Sequence, residues 1–178
     1  YAKANPGKLN YGSHGAGSFT HVSTELFKGL TGTDMVLVHY RGAGPAMPDL
    51  ISGRVQGMFD SVPSAIQQHK TGALRALAVT SKERHPGFPG VPTVAETVPG
   101  YEVQNFFGIV VPAKTPRPIV DRLRGEIVRI INVPEVKDRL LALGFVPGGD
   151  TPEEFTAYVK AEIDKWARVA KAARVQVE

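Results

Sequence analysis

From residue 9 to residue 80, short apolar runs alternate with stretches whose apolar residues recur every three or four positions. Leu9-Asn10-Tyr11, Met35-Val36-Leu37-Val38, Val55-Gln56-Gly57-Met58-Phe59 and Leu74-Arg75-Ala76-Leu77-Ala78-Val79 read as four strands. The second is continuous enough to predict burial on both faces. A helix is expected after the first strand, capped by Ser18, buried through Val22, Leu26, Phe27 and Leu30, and ended by Gly29 and Gly32. Shorter helices are expected through Met47, Leu50 and Ile51 to Gly53, and through Ala65 and Ile66 to Gly72. Strand and helix alternating at this pitch require crossovers and a mainly parallel sheet. Residues 9–80 are therefore predicted to be a compact α/β lobe with helices flanking the sheet.

Beyond Thr80 the pattern changes. Residues 81–105 carry Pro86, Pro89, Pro92 and Pro99 and read as an extended connector with a short helix from Thr93 to Thr97. Phe106-Phe107-Gly108-Ile109-Val110-Val111 predicts a fifth strand. Thr115-Pro116 opens a long helix through Ile119, Leu123, Ile127 and Ile130, and Pro134 opens another through Val136, Leu140 and Leu141 to Gly144. Thr151-Pro152-Glu153-Glu154 is a capping box with proline at the first helical position. It starts a last helix with Phe155, Val159, Ile163, Trp166 and Ala170 on one stripe, so residues 106–178 read as a crossover strand and C-terminal helices. At the other end, residues 1–8 read as the last turn of a helix stopped by Asn5-Pro6, as if the chain were cut from a longer one.

Composition narrows the function classes. The 178 residues are 42 % apolar and 21 % charged, which suits one globular domain or one domain and part of another. With no cysteine, disulfides, thiolate metal sites and cysteine nucleophiles are excluded. The 21 basic and 17 acidic side chains leave only +4, scattered along the chain, so no nucleic-acid partner is expected. No apolar run approaches the ~20 residues that span a bilayer, and no targeting signal is expected within these 178 residues.

Three features carry candidate chemistry. The turn from Gly12 through Ser13, Gly15 and Gly17 to Ser18 joins a strand to a helix, so its N–H groups and the helix dipole can receive an anion. A tight strand–helix turn without a ligand is the competing reading of the same spacing. The second feature is Tyr40-Arg41-Gly42-Ala43-Gly44-Pro45-Ala46, where Arg41 can grip a carboxylate in bidentate fashion or simply be solvated. The third is Asp60, which ends the third strand. All three follow strands, and ligands of open parallel sheets sit beyond the strands' carboxyl ends. Ser18 stands where a phosphate loop needs lysine, Gly-x-Gly-x-x-Gly is absent, and the histidines are dispersed, so neither nucleotide, metal nor other cofactor is expected. Ser18, His21 and Asp60 can be written as a hydrolase triad, but no nucleophile elbow surrounds Ser18.

Tyr11-Gly12-Ser13, Gly17-Ser18, His21, Val38-His39-Tyr40-Arg41-Gly42, Pro45-Ala46, Met58-Phe59-Asp60, Val91-Pro92-Thr93 and Pro112-Ala113-Lys114-Thr115-Pro116 occur in the order seen in a known family. The chain resembles the Bug family, the periplasmic substrate-binding proteins of tripartite tricarboxylate transporters. Phe106-Phe107 departs from the Trp-Phe of many members. The resemblance implies one lobe of a two-lobed periplasmic-binding-protein-like fold with the N-terminal lobe largely missing. It further implies capture of a small carboxylate in the periplasm and delivery to membrane subunits, without catalysis. The expected ligand-binding residues are Ser13, Gly17, Ser18, His21, Tyr40, Arg41, Gly42, Ala46 and Asp60. The alternatives are an effector-binding domain of a transcription regulator and a small hydrolase. Without the other lobe, self-association through the 106–111 strand and the 116–131 helix is expected.

Overall fold

The structure, a computed structural model, describes residues 1–175. Its contacts gather into two units, one formed by Tyr1–Asn105 with the chain from Ile163 onward, the other by Phe106–Glu162.

The first unit is built on a parallel sheet of β1 (Asn10–Ser13), β2 (Val36–His39) and β3 (Gly57–Met58), in the order β2-β1-β3. Tyr11 is in register with Leu37 on one side and Gly57 on the other, so β1 is the central strand. The connections are α1 (Phe19–Thr31) and α2 (Ala43–Ile51), with α3 (Val62–Lys70) following β3. Both α1 and α2 pack on β1. Right-handed crossovers running in opposite directions from the centre put these two helices on opposite faces of the sheet. At the start of the chain, Asn5 N–H bonds to the Ala2 carbonyl and Lys8 N–H to the Asn5 carbonyl, a pair of successive turns and not a regular helix.

Two of the expected elements differ. β2 is an edge strand with Val36 exposed, and the deeply buried residue is Met35, just before it. Residues 74–79 form no strand. Only Val79 makes a bridge, with its N–H bonded to the Pro92 carbonyl and its own carbonyl receiving Val94 N–H. Pro92 has no N–H to offer, so the ladder cannot lengthen there.

Residues 81–105, read as a connector, supply much of the core. Phe88 and Val91 pack with Ile66 and Val79, while Val94, Tyr101 and Val103 pack with Phe27, Phe59 and Trp166. The Phe59 and Tyr101 rings stack at 5.6 Å, and the Tyr101 hydroxyl donates to the Ser23 carbonyl at 3.2 Å. A 3₁₀ turn over Val94–Glu96 is closed by a capping box, in which Thr93 N–H reaches Glu96 and Glu96 N–H reaches the Thr93 hydroxyl. Arg84 grips the same carboxylate with two nitrogens, at 2.9 and 2.6 Å. The hydrogen bonds from Arg84, ahead of that from the Thr93 backbone, pull the Glu96 carboxyl down to about 2.

α1 also departs from its apolar stripe. Its buried residues are Thr20, His21, Ser23 and Thr24, whereas Leu30 is exposed. The helix tolerates this because Ser23 and Thr24 bond their hydroxyls to the carbonyls of Phe19 and Thr20, one turn back.

The second unit holds α4 (Arg117–Ile131), α5 (Pro134–Ala142) and the front of α6 (Pro152–Ala172). The Thr151–Glu154 capping box forms as the sequence suggests. α4 starts at Arg117 with Pro116 as its cap, one residue beyond the expected start. Arg117 joins Asp121 and Glu153, and Arg124 donates to the carbonyls of Gly149 and Asp150. Phe106–Val111 is not a strand, because no chain lies beside it among the described residues to complete a ladder. Phe106 packs edge-on against Phe155 and Tyr158, and Phe107 against Phe145, while Ile109 and Val110 are 72 % and 82 % exposed.

Tyr101 joins α1 to the 81–105 segment by both packing and a hydrogen bond. Tyr101→Phe should lower unfolding free energy by about 1 kcal/mol, and Tyr101→Ala by about 3–5 kcal/mol. Urea denaturation followed by circular dichroism measures both, and equal losses would show that the ring contributes no packing.

Candidate functional site

Parallel pairing on both sides of β1 brings the carboxyl ends of the three strands to one edge. The Gly12–Ser18 turn leaves β1 there, the Tyr40–Gly42 turn leaves β2, and Asp60 follows β3 by two residues. The three are in contact. Tyr40 N–H donates to the Ser13 carbonyl at 2.8 Å, His39 Nδ1 lies 3.1 Å from Ser13 Oγ, and His14 Nε2 lies 3.5 Å from Asp60 Oδ1.

The turn needs glycine at two places. Gly15 and Gly17 have φ of 127° and 72°, where a β-carbon is strained. Ser18 then adopts extended backbone and caps α1, accepting His21 N–H at 3.3 Å. Several turn N–H groups point inward instead of toward a ligand. His14 N–H reaches Thr20 Oγ1 at 2.7 Å, Gly15 N–H reaches Ser13 Oγ at 3.3 Å, and Gly17 N–H reaches His21 Nδ1 at 3.0 Å. Phe19 and Thr20 N–H lie in the first turn of α1, where no intrahelical carbonyl is available to them. Ser13, Ser18 and Thr20 hydroxyls stand 3.0–3.4 Å apart, with Ser13 and Thr20 buried and Ser18 nearer the surface.

The other expected positions separate into roles. Tyr40 turns its hydroxyl to Asp49 at 2.9 Å, and Arg54 holds the other oxygen of the same carboxylate, so the phenol anchors α2. Arg41 is exposed on the turn. Gly42 caps α2 with φ 97°, and Ala46 is wholly buried inside that helix, its methyl in the core. Asp60 is held by Ser61 N–H at 2.7 Å and faces His14. The hydrolase triad is not assembled, since His21 Nδ1 is occupied by Gly17 N–H and Asp60 stands against a different histidine.

Two residues escaped the sequence reading. His14 and His39 are far apart in sequence, but each stands at the end of a strand, and His39 packs edge-on against His21 at 4.8 Å. The position of His39 directly after the apolar run Met35-Val36-Leu37-Val38 was the available signal. Among the described residues no three histidine, aspartate or glutamate side chains gather to hold a metal, and no helix is long and apolar enough to cross a membrane.

The parallel sheet flanked by helices has the fold of periplasmic binding proteins, such as BugD, with which it superposes at a TM-score of 0.81 and 31 % identity over 100 % of this chain and 60 % of that one. Rpa4515 of R. palustris, solved with adipate, superposes with a TM-score of 0.87 at 38 % identity, over 98 % of this chain and 59 % of that one. MatC (Rpa3494) of Rhodopseudomonas palustris, solved with malate, gives 0.80 at 32 % identity over 95 % and 59 %. The family model for the tripartite tricarboxylate transporter family receptor matches residues 1–175, and the chain belongs to that family. Among curated relatives, a UPF0065 protein from the tcbD-tcbE intergenic region of Pseudomonas sp. (strain P51) is 41 % identical over 94 % of this chain and 51 % of its own length. BugT of Bordetella pertussis is 33 % identical over 95 % and 52 %. The chain thus spans about half the length of these relatives.

Burial, followed by the nearby His39 and Lys28, lowers the His21 pKa below the ordinary 6.5, and Glu25 only partly opposes this. Protonation would also break the bond that Nδ1 accepts from Gly17. The unfolded chain takes up a proton as pH falls through about 6.5 while the folded chain does not, so stability is lost below that pH and not above it. Thermal melts should show the wild type losing more stability than His21→Gln between pH 7.5 and 5.5. Superimposable pH curves would contradict this.

Proposed function

We propose that this chain is part of a periplasmic receptor that captures a small carboxylate and hands it to the membrane subunits of a tripartite tricarboxylate transporter, binding without turnover. The observation that carries the reading is the glycine-rich turn at the head of α1, at the sheet edge where ligands of this fold class settle. A carboxylate there meets the free N–H groups of the first helical turn, the helix dipole and, once its proton turns from the Gly15 carbonyl, the Ser18 hydroxyl. Arg41, exposed on the adjacent turn, offers a second, bidentate contact. Membership of the receptor family and the adipate and malate held by two similar structures support the same ligand class. The transcription-regulator reading has no observation in its favour.

Calorimetric titration of the chain with adipate, succinate, L-malate and citrate tests the proposal. At least one should bind, and Ser18→Ala should weaken it about tenfold, the equivalent of one charge-assisted hydrogen bond. Binding that is absent for all four, or indifferent to Ser18→Ala, would overturn it.

A further inference from the structure

Two neighbouring buried side-chain atoms at the sheet edge have no hydrogen-bond partner. Asp60 Oδ2 is buried without a hydrogen bond in a side chain only 5 % exposed, and His14 Nε2 is buried and likewise unbonded. Asp60 Oδ1 is already taken by Ser61 N–H at 2.7 Å, and its 3.5 Å separation from His14 Nε2 is too long for a good bond. Buried polar groups left unpaired are uncommon and point to a missing partner. The two atoms ask for opposite things. Oδ2 is an acceptor and needs a donor. Nε2 faces a carboxylate, which favours the tautomer with its proton there, so it is a donor and needs an acceptor.

We propose that Asp60 and His14 read a hydroxyl group on the ligand, which makes the preferred substrates hydroxylated carboxylates. The inference rests on the carboxylate reading of the same site. A hydroxyl donates once and accepts through its lone pairs, so one oxygen satisfies Oδ2 and Nε2 together. A bare methylene leaves both unpaired. An ammonium satisfies Asp60 but opposes the imidazole N–H, and a second carboxylate is repelled by Asp60. His14 is also a residue of the glycine-rich turn, so a ligand whose carboxylate rests at the head of α1 lies close to this pair. Sites built to bond a hydroxyl discriminate strongly against analogues that lack it.

L-malate, D-malate and succinate differ only at that hydroxyl and are titrated calorimetrically into the 178-residue chain. One malate enantiomer should bind about tenfold or more tighter than succinate. Asp60→Leu should reduce the preference for malate over succinate to within about twofold. His14→Leu should act in the same direction, and it serves if Asp60→Leu does not fold. Equal wild-type affinities for malate and succinate would overturn the inference, leaving an ordered water as the only occupant, with the carboxylate reading intact. A malate preference that survives in a folded variant would also overturn it. Failure of all three ligands to bind would instead remove the carboxylate reading and this inference with it.

Discussion

β1 must satisfy two neighbours in the same direction. A strand paired in parallel on both sides cannot be closed by hairpins, so each partner is reached through a helix. The helices take up the two faces, and all three strands release their chains at one edge. Ser13 shows the constraint at atomic scale, because its carbonyl receives the first N–H beyond β2 while its hydroxyl meets the His39 ring and the turn. The sheet is short, yet it sets His39 beside Ser13 on one side of β1 and Asp60 beside His14 on the other.

The turn that follows β1 is held by its own bonds. Three of its N–H groups are committed to Ser13, Thr20 and His21, so the loop is shaped before any ligand arrives. Preorganisation of this kind lowers the ordering cost of binding. It also explains the polar buried face of α1. Thr20 and His21 are buried because they are the inner partners of the turn, and Ser23 and Thr24 bond back to the helix itself. A fully apolar face there would leave the turn without anchors.

Much of this was legible in the sequence. The strand–helix alternation, the Ser18 cap, the Thr151–Glu154 box and the convergence of three turns follow from local rules of spacing and capping. Residues 74–79 and 106–111 misled because β-propensity describes a strand's side chains and says nothing of whether a partner is beside it. Val79 meets Pro92, and the 106–111 run meets no ladder partner. The 81–105 segment looked like a connector because proline marks irregular backbone, but irregular backbone buries Phe88, Tyr101 and Val103 as well as any helix does. His14 and His39 were not singled out because only the register of the sheet sets His39 beside Ser13 and His14 beside Asp60. That the Tyr40 hydroxyl would bond Asp49 on α2 and that Ala46 would be buried in that helix depends on packing that the sequence does not spell out.

The segment Phe106-Phe107-Gly108-Ile109-Val110-Val111 has a further consequence for life in a crowded solution. Five β-branched or aromatic residues around one glycine, uncharged and without proline, have the composition that stacks into cross-β fibrils. Two aromatic side chains are tethered to Phe155, Tyr158 and Phe145, whereas Ile109 and Val110 face outward. Directly after them come Pro112 and Lys114, one unable to donate to a growing ladder and the other charged. A proline and a charge flanking such a run are the residues that oppose ladder growth past its end.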